Sequence, residues 1–257
     1  MTPTLFELKS WAFQAGKILR AGVGQQHFIH HKGTVNLVTE MDQRSEDFLV
    51  NEIRQHYPDH RIVTEESGLL AGLDTHCWYI DPLDGTTNYA HGLPIFCVSL
   101  AYAEHDELRL GVVYDPMHDE LFCAELGKGA WLNDQPLHVS EVSELLQSLL
   151  VTGFPYDLVD TPQNNLENFT RLTRLSQGVR RLGSAAMDLC YVAAGRLDGY
   201  WEMLLSPWDL AAGALIVREA GGVVTSLAGS LDLLAPPYSI VAGNPHIQPQ
   251  LLKLLQL

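Results

Sequence analysis

The segment CWYIDPLDGTTN places two carboxylates within one short stretch of chain. Asp81 follows a strand-like run, and Asp84 comes three residues later, with the Leu83 carbonyl between them. Oxygen ligands clustered in this way suit Mg²⁺ or Mn²⁺ better than zinc, which favours nitrogen and sulfur. If a helix begins at Gly85, its free N–H groups would point at the same spot and could hold a phosphate. An Asp-Gly turn in a simple hairpin is the alternative interpretation.

Two more acidic sites occur where an element ends or begins. Glu65 directly follows the strand-like run RIVT, where an acidic residue is most often part of a solvated surface. In SPWDLAAGALIVREAGG, Ser206 fits an N-cap and Asp209 falls at the third helical position, where a capping box also places an acid. Capping accounts for Asp209 taken alone. The recurrence of acids at element ends indicates a shared site.

These motifs resemble the paired signatures of inositol monophosphatases. IDPLDGTTN and, far downstream, WDLAAGALIVREAGG match the two signatures, and EES upstream matches a third block. The resemblance runs from about residue 5 to residue 250 and is strongest to the bacterial members. It implies a layered αβαβα sandwich of the inositol monophosphatase / fructose-1,6-bisphosphatase type. It also implies phosphomonoester hydrolysis with two to three Mg²⁺ ions per active site (or Mn²⁺), sensitivity to lithium, and usually a homodimer.

The resemblance implies roles for individual residues. The family's metal ligands fall on Glu65, Asp81, the Leu83 carbonyl, Asp84 and Asp209. Thr86, held by Asp42, matches the threonine that positions the attacking water together with Glu65. An N-cap role for Asp42 is equally consistent with the sequence. The positions implied for substrate contact are Leu83, Asp84, Gly85, Thr86, Arg180, Ser184, Ala185, Glu202 and Asp209.

Several of the weaker assignments carry alternatives. Glu202 matches a glutamate that contacts ring hydroxyl groups, and it favours a polyol over a nucleotide. Arg180 and Arg181 lie on a short strand, so only one of them can face the cleft. Similarity to the bacterial members favours Arg180, with a surface salt bridge as the alternative. Ser184 is expected to cap a helix first and to contact the cleft second. Lys32 matches a family lysine near the outer metal site, or is a solvated side chain.

The helices and strands that must position these residues follow a different order in the two halves of the chain. Two helices are expected in the first sixty residues, the second over roughly Asp42 to Tyr57. Short β-like runs follow, including RIVTEES, CWYID, IFCVSLAYA and LRLGVVYD, and the pattern weakens near residue 140. A second series, which begins at SLLVTGFP, alternates strands and helices. The sequence therefore predicts an α+β half over residues 1–140, with the metal and phosphate site, and an α/β half over residues 141–257 that completes it.

The composition limits the classes of protein to which the chain can belong. The chain has 257 residues, of which 46% are hydrophobic and 18% charged, and this excludes disordered, collagen-like and coiled-coil chains. A formal net charge of −15 argues against nucleic acid as the main partner. No apolar run approaches the roughly 20 residues of a membrane span. Four widely spaced cysteines in apolar segments indicate buried reduced thiols, and we expect a soluble cytoplasmic protein.

Together these features predict a Mg²⁺-dependent phosphatase that releases phosphate from inositol 1-phosphate and related polyol phosphates by means of metal-activated water. The nearest alternative is another small phosphatase of the superfamily, acting on fructose 1,6-bisphosphate, histidinol phosphate or phosphoadenosine phosphate. An alternative of a different class is a non-catalytic regulatory protein that senses a phosphorylated ligand. Binding alone does not need the water-positioning pair, Thr86 and Glu65. Retention of the whole set therefore speaks against this alternative: Glu65, Asp81, Asp84, Thr86 and Asp209.

Overall fold

The computed structural model describes residues 2–25, 29–31, 37–155, 161–162 and 164–256. Its α-helices are α1 (Leu5–Gly22), α2 (Glu40–His56), α3 (Thr86–Ala90), α4 (Leu166–Leu175), α5 (Ala185–Ala193), α6 (Pro207–Glu219) and α7 (Ile247–Leu255). Its strands are β1 (Ile29–His31), β2 (Leu37–Thr39), β3 (His60–Thr64), β4 (Gly68–Leu70), β5 (Leu73–Asp84), β6 (Cys97–Glu104), β7 (Glu107–Asp115), β8 (Glu120–Glu125), β9 (Gly129–Leu132), β10 (Gln135–Pro136), β11 (Leu149–Thr152), β12 (Gly178–Arg180), β13 (Gly199–Met203), β14 (Val223–Thr225) and β15 (Ser239–Gly243).

Helices α1 and α2 begin with capping boxes. The Thr4 side chain caps α1, with Glu7 as its partner at the third helical position. Thr39 caps α2, and the carboxylate of Asp42, at the third position, accepts a hydrogen bond from the Thr39 N–H at 2.8 Å. Helix α2 therefore begins before Asp42. The prediction that Asp42 is itself an N-cap is wrong, because its carboxylate is the returning partner of the box.

The larger sheet has eight strands in the order β10-β9-β8-β7-β6-β5-β3-β4. Strand β5 pairs in parallel with β3 and antiparallel with β6, and the remaining neighbours are antiparallel. Residues 77–84 of β5 are all buried, because the strand is covered on both faces. That double burial explains why it reads as a continuous apolar run that ends in acids.

The smaller sheet has five strands in the order β12-β11-β13-β15-β14. Strand β11 is parallel to both β12 and β13, whereas β15 is antiparallel to β13 and β14. Strands β12 and β13 lead directly into the loops that precede α5 and α6. The mixed pairing agrees with the predicted α/β character of this half.

Three hydrophobic cores separate five layers. On β5, Trp78 and Ile80 pack in one core with α1 and α2, while Tyr79 faces a second core that contains α5 and α6. The other face of that helical pair contacts the smaller sheet, whose Trp201 lies in the third core with α4 and α7. The order is helices, sheet, helices, sheet, helices. This confirms the predicted αβαβα sandwich.

The change of architecture along the chain falls close to its predicted place. The larger sheet ends with β10 and the smaller sheet begins with β11, on either side of residue 140. The division into two units stays a prediction, since the central core contains residues of both sheets. All four cysteines are buried free thiols. Within the described ranges, none of the helices has the length and apolar character needed to cross a bilayer.

Candidate active site

The end of β5 presents the two acids of the IDPLDGTTN motif. The pairing of β5 with β6 shifts register between Asp81 and Asp84, which forms a β-bulge. The Leu83 N–H donates to Oδ1 of Asp81 at 3.0 Å. The Ser45 hydroxyl, from α2, donates to the Pro82 carbonyl at 2.8 Å. One hydrogen bond within the bulge and one from α2 therefore hold its shape, and this shape fixes the positions of the two carboxylates.

Gly85 turns the chain from β5 into α3. Its φ is 96°, and a Cβ atom would come within 2.8 Å of the Ile95 carbonyl oxygen, so glycine is required here. The Asp-Gly step thus opens a short helix instead of a hairpin. Next to it, the Thr86 hydroxyl lies 3.1 Å from Oδ1 of Asp42 and 3.0 Å from the Leu83 carbonyl oxygen. The predicted contact between Thr86 and Asp42 is present.

A buried acid on α2, Glu46, accepts the hydrogen bonds that hold the turn around Glu65. Oε2 of Glu46 accepts from the Thr64 hydroxyl at 2.6 Å and from the Glu66 N–H at 2.9 Å. Oε1 accepts from the N–H and the hydroxyl of Ser67, at 3.0 and 2.5 Å. Four donors on one carboxylate make this a strong, charge-assisted anchor. The sequence pattern alone did not indicate a role for Glu46.

Asp84 is held by the N-terminus of α5. The Ser184 hydroxyl and the Ala186 N–H each donate to its Oδ2 at 2.7 Å. Ser184 is the N-cap of α5, as predicted, and its hydroxyl oxygen also accepts from the Met187 N–H at 3.4 Å. A carboxylate gains from the free N–H groups and the dipole at such a helix end. An element of the second half therefore orients an acid of the first.

Asp209 both caps helix α6 and lies in the cleft, which are the two roles that its sequence position allowed. It is the third residue of α6, with Pro207 at the start, and its Oδ2 accepts from the Ser206 N–H at 2.6 Å in a capping box. It also lines the same cleft as Asp84. Capping and site formation are compatible, since a carboxylate has two oxygens.

Glu202, on β13, forms part of the cleft wall. The Tyr200 hydroxyl donates to its Oε2 at 2.6 Å. Gly153 packs so closely that a Cβ atom there would lie 2.1 Å from the same oxygen. Burial raises the pKa of Glu202 to about 7, and Asp84 adds to the shift, while the Tyr200 hydrogen bond and Arg181 oppose it.

These side chains line one cleft of about 410 Å³, to which both halves of the chain contribute. Of the predicted metal-ligand and substrate residues, all but Arg180 line it. Asp42 reaches the cleft through the Thr86 hydroxyl. Elements that are distant in sequence thus bring the predicted site together.

The acids of the cleft repel one another. Burial raises the pKa of Asp81 well above its ordinary range, and Glu65, Asp84 and Asp209 raise it further. Burial and the charge of Asp84 likewise raise the pKa of Asp209. At Asp84 itself, burial raises the pKa, whereas hydrogen bonds from α5 lower it. Among the described lining residues, Arg181 is the single cationic side chain, so the chain does not neutralise this charge itself.

The donor set fits a hard divalent cation, because it consists of carboxylates and a backbone carbonyl. As the side chains stand, no three His, Cys, Asp or Glu residues of the described ranges converge into a group that could hold a metal ion. Oδ2 of Asp84 accepts from the N-terminus of α5, and Oδ2 of Asp209 accepts from the Ser206 N–H. Each of the two carboxylates keeps a second oxygen that these contacts do not use.

Known proteins are similar to this chain in sequence and in fold. The sequence profile of the inositol monophosphatase family matches residues 1–257. The chain belongs to this family. An inositol-1-monophosphatase from Synechocystis sp. is 48% identical over 250 residues, which cover 93% of this chain and 87% of the relative. A Nus factor SuhB from Pasteurella multocida is 43% identical over 259 residues, which cover 100% of this chain and 97% of the relative. The structure of inositol monophosphatase from Anabaena (Nostoc) sp. has a TM-score of 0.89 at 46% identity, with 98% of this chain and 94% of that chain covered.

Membership of the inositol monophosphatase family confirms the resemblance that the motifs carried. It also confirms the layered fold and the enzyme class, phosphoric monoester hydrolase. The roles of individual residues in catalysis, metal binding and substrate contact stay predictions.

The choice of Arg180 as the substrate arginine is corrected by the structure of this family member. Arg180 ends β12, is exposed, and donates from Nη1 to the neighbouring Val179 carbonyl at 3.3 Å. Arg181 lines the cleft, with its guanidinium 5.7 Å from the centre of the Phe154 ring. Arg181 follows the end of β12, and of the two arginines it is the one that lines the cleft. Lys32 lies outside the described residues.

Proposed function

We propose that the chain hydrolyses phosphate monoesters of polyols, with inositol 1-phosphate as its reference substrate, in the presence of Mg²⁺. The observation that supports this most strongly is the meeting of Glu65, Asp81, Asp84 and Asp209 on one cleft. They come from the turn after β3, the end of β5 and the start of α6. A phosphate dianion is repelled by such a set of acids, so the reaction needs divalent cations at this site.

Two to three Mg²⁺ ions, with Mn²⁺ as a substitute, would be held by Glu65, Asp81, the Leu83 carbonyl, Asp84 and Asp209. When bound, such ions lower the pKa of a water molecule and stabilise charge on the departing oxygen. The chain's own part is to preorganise the ligands. The anchor at Glu46, the N-terminus of α5 and the capping box of α6 do this for three separate segments.

Thr86 and Glu65 would orient the attacking water. The Thr86 hydroxyl donates toward Asp42 or the Leu83 carbonyl, so its oxygen can accept a hydrogen bond from water. Thr86 is 7% exposed and Asp42 is fully buried, which shields this pair from competing solvent. Glu65 would accept the proton as general base. Attack is then direct and in line, without a covalent enzyme intermediate.

The substrate would lie across the cleft with its phosphate near β5 and its alcohol near β13. The backbone at Leu83 and Gly85 and the Thr86 hydroxyl would bind the phosphate, and Gly85 lets the backbone approach closely. Glu202 would accept hydrogen bonds from hydroxyl groups of the alcohol. A homodimer and sensitivity to Li⁺ are part of the same proposal.

Phosphate release from a panel of esters tests the proposal. The panel contains inositol 1-phosphate, fructose 1,6-bisphosphate, histidinol phosphate and phosphoadenosine phosphate. We expect the highest kcat/KM with inositol 1-phosphate, loss of release after chelation, recovery with Mg²⁺, and inhibition by Li⁺. A preference for another ester would assign the substrate to that alternative. Release without divalent cations, or no release across the panel, would contradict the proposal.

A regulatory role is the second candidate, because several relatives at 43–46% identity are named Nus factor SuhB. Asp84→Asn separates the two roles, since it alters a buried residue and leaves the surface as it is. In cells that lack the protein, a phenotype restored by this variant depends on binding. A phenotype that only the wild type restores depends on hydrolysis.

A further inference from the structure

Asp188 is a buried acid of the cleft that none of the roles above includes. It lies on α5, is 1% exposed and lines the cleft. Its Oδ1 is the one buried side-chain nitrogen or oxygen without a hydrogen-bond partner in the part of the chain that the structure describes. An unsatisfied buried carboxylate oxygen is costly, and its presence calls for an explanation.

Helix α5 does not satisfy this carboxylate. The Ala186 N–H donates to Asp84, and the Met187 N–H donates to the Ser184 hydroxyl. The N–H of Asp188 itself donates to the Ser184 carbonyl. An acid in the first turn gains from the helix dipole, but this gain is smaller than the cost of burying an unpaired carboxylate. The stability of α5 therefore does not explain Asp188.

No cation among the described residues acts on Asp188. Burial raises the pKa of Asp188, and the charges of Glu202 and Asp84 raise it further, with no opposing group among the described residues. Arg181 acts on Glu202 instead, where it lowers the pKa. The Tyr200 hydroxyl is committed to Glu202 at 2.6 Å. No described residue therefore supplies a donor to Oδ1 of Asp188.

We propose that Asp188 accepts a hydrogen bond from a hydroxyl group of the leaving alcohol, beside Glu202, and so selects hydroxyl-rich phosphate esters. This inference rests on the proposed function and adds a specificity-determining residue to it. A polyol carries several O–H donors, and Oδ1 of Asp188 can accept from such a donor whether the acid is ionised or protonated on its other oxygen. An ester without that hydroxyl leaves Oδ1 unpaired, and sites built to bind a substrate hydroxyl discriminate strongly for this reason.

The test compares inositol 1-phosphate with 4-nitrophenyl phosphate, whose leaving group has no further hydroxyl, using the full chain at saturating Mg²⁺. For Asp188→Asn we expect the ratio of the two kcat/KM values, inositol ester over nitrophenyl ester, to fall about tenfold, mainly through KM. Asp188→Ala should lower the ratio further. The Tm of Asp188→Asn at pH 8 should rise by about 2 °C or more, because an unpaired buried charge is removed.

Asp198→Asn is the matched control. Asp198 is also buried, but its carboxylate accepts from the Ser140 hydroxyl and the Leu149 N–H, each at 2.6 Å, and it does not line the cleft. We expect this variant to lower Tm and to leave the substrate ratio unchanged. Opposite signs of the Tm change therefore distinguish a ligand-binding acid from a structural one.

Five outcomes would overturn the inference. A lower Tm, or an unchanged ratio, for Asp188→Asn overturns the inference. A several-fold rise in the Mg²⁺ concentration for half-maximal rate with both esters also overturns it, because Asp188 would then be a metal ligand. A loss that is greatest with histidinol phosphate, whose leaving group carries an ammonium, shows selection of a cation and overturns the hydroxyl assignment. A wild type that hydrolyses none of these esters overturns the proposed function, and the inference with it.

Discussion

The hydroxyl of Ser184 lies 2.7 Å from Oδ2 of Asp84 and joins residues one hundred positions apart. It ties the first turn of α5 to the end of β5. The same oxygen accepts from the Ala186 N–H, so two donors of one helix end converge on one acid. The orientation of Asp84 therefore depends on how the second half of the chain packs against the first.

Replacing Ser184 by alanine is expected to lower both stability and kcat. The variant loses the helix cap and the donor to Asp84, so the free energy of unfolding should fall by about 1–2 kcal/mol. Misplacement of Asp84 should lower kcat about tenfold. Urea denaturation and steady-state kinetics measure the two effects, and Ser184→Thr, which keeps the hydroxyl, is the control. An unchanged kcat would show that the hydroxyl serves the helix alone.

Replacing Asp84 by asparagine is expected to reduce kcat roughly a thousandfold, which corresponds to about 4 kcal/mol of transition-state stabilisation. The reason is the loss of a negative ligand for the divalent cations. Turnover of inositol 1-phosphate over a Mg²⁺ titration measures the effect. Glu167→Gln, at an exposed position of α4, is the control and should match the wild type. Turnover within tenfold of wild type at saturating Mg²⁺ would count against the assignment of Asp84.

Replacing Glu46 by glutamine is expected to cost both stability and activity, although Glu46 does not line the cleft. The amide group cannot accept from all four donors of the turn around Glu65, so the free energy of unfolding should fall by about 2–3 kcal/mol. Displacement of Glu65 should lower kcat at least tenfold. Asp47→Asn, exposed on the same helix, should change stability by less than about 0.5 kcal/mol. Normal kcat in a destabilised Glu46→Gln would refute the positioning role.

Glu202 makes the stability of the metal-free protein depend on pH. Its folded pKa of about 7 lies above the ordinary value of 4.5, so the folded chain binds this proton more tightly. The stabilisation is fully present below about pH 4.5 and is lost as the pH rises through about 7. The stability advantage of Glu202→Gln over wild type should therefore grow by about 2–3 kcal/mol from pH 5 to pH 8. Denaturant titrations in a chelator measure it, and a constant difference would place the pKa near its ordinary value.

Arg181 and its neighbour Arg180 form a matched pair of test positions. Arg181→Gln is expected to raise KM for inositol 1-phosphate about fivefold, the equivalent of about 1 kcal/mol, because it removes the cation at the rim of an acidic cleft. Arg180→Gln should stay within twofold of wild type, since that side chain points away from the cleft. Steady-state kinetics on both variants decide the question. The reverse result would restore Arg180 as the substrate arginine.

Local signals were enough to predict the elements that carry the site acids. Ser206, Pro207 and Asp209 specify the start of α6 through capping and a fixed backbone angle. The apolar run of β5 specifies a strand buried on both faces. That Glu65 and Asp209 meet Asp84 is a matter of tertiary packing, which no local pattern contains. For this the resemblance to a family was needed.

Helix α4 was not anticipated, although its start has an unusual conformation and its sequence has a helical pattern. Its N-cap, Asn165, has a φ of 71°, and its side chain accepts from Trp201 Nε1 at 2.7 Å instead of capping the helix. Only Leu172 of this helix is fully buried. The sequence nevertheless carries both signals of a helix, since Asn is a preferred N-cap residue and the apolar residues from Leu166 to Leu175 recur at helical spacing.

Glu46 was missed for a different reason. It lies three positions before Leu49 and seven before Ile53, on the buried face of α2, so its burial could be read from the helical period. Its partners, at residues 64–67, approach from another element, and their identity depends on the packing of α2 against β3. A buried acid on the apolar face of a helix indicates a structural hydrogen-bond acceptor. The pattern does not identify the donors that it binds.

The middle helical layer has a consequence for how this protein is made. A ribosome that has released the first 136 residues has supplied every strand of the larger sheet, but not the helix that steadies Asp84 or the one that brings Asp209. A nascent or nicked chain that lacks α5 and α6 leaves one face of the larger sheet uncovered and lacks the groups that complete the site. Turnover thus reports the completed assembly of both halves.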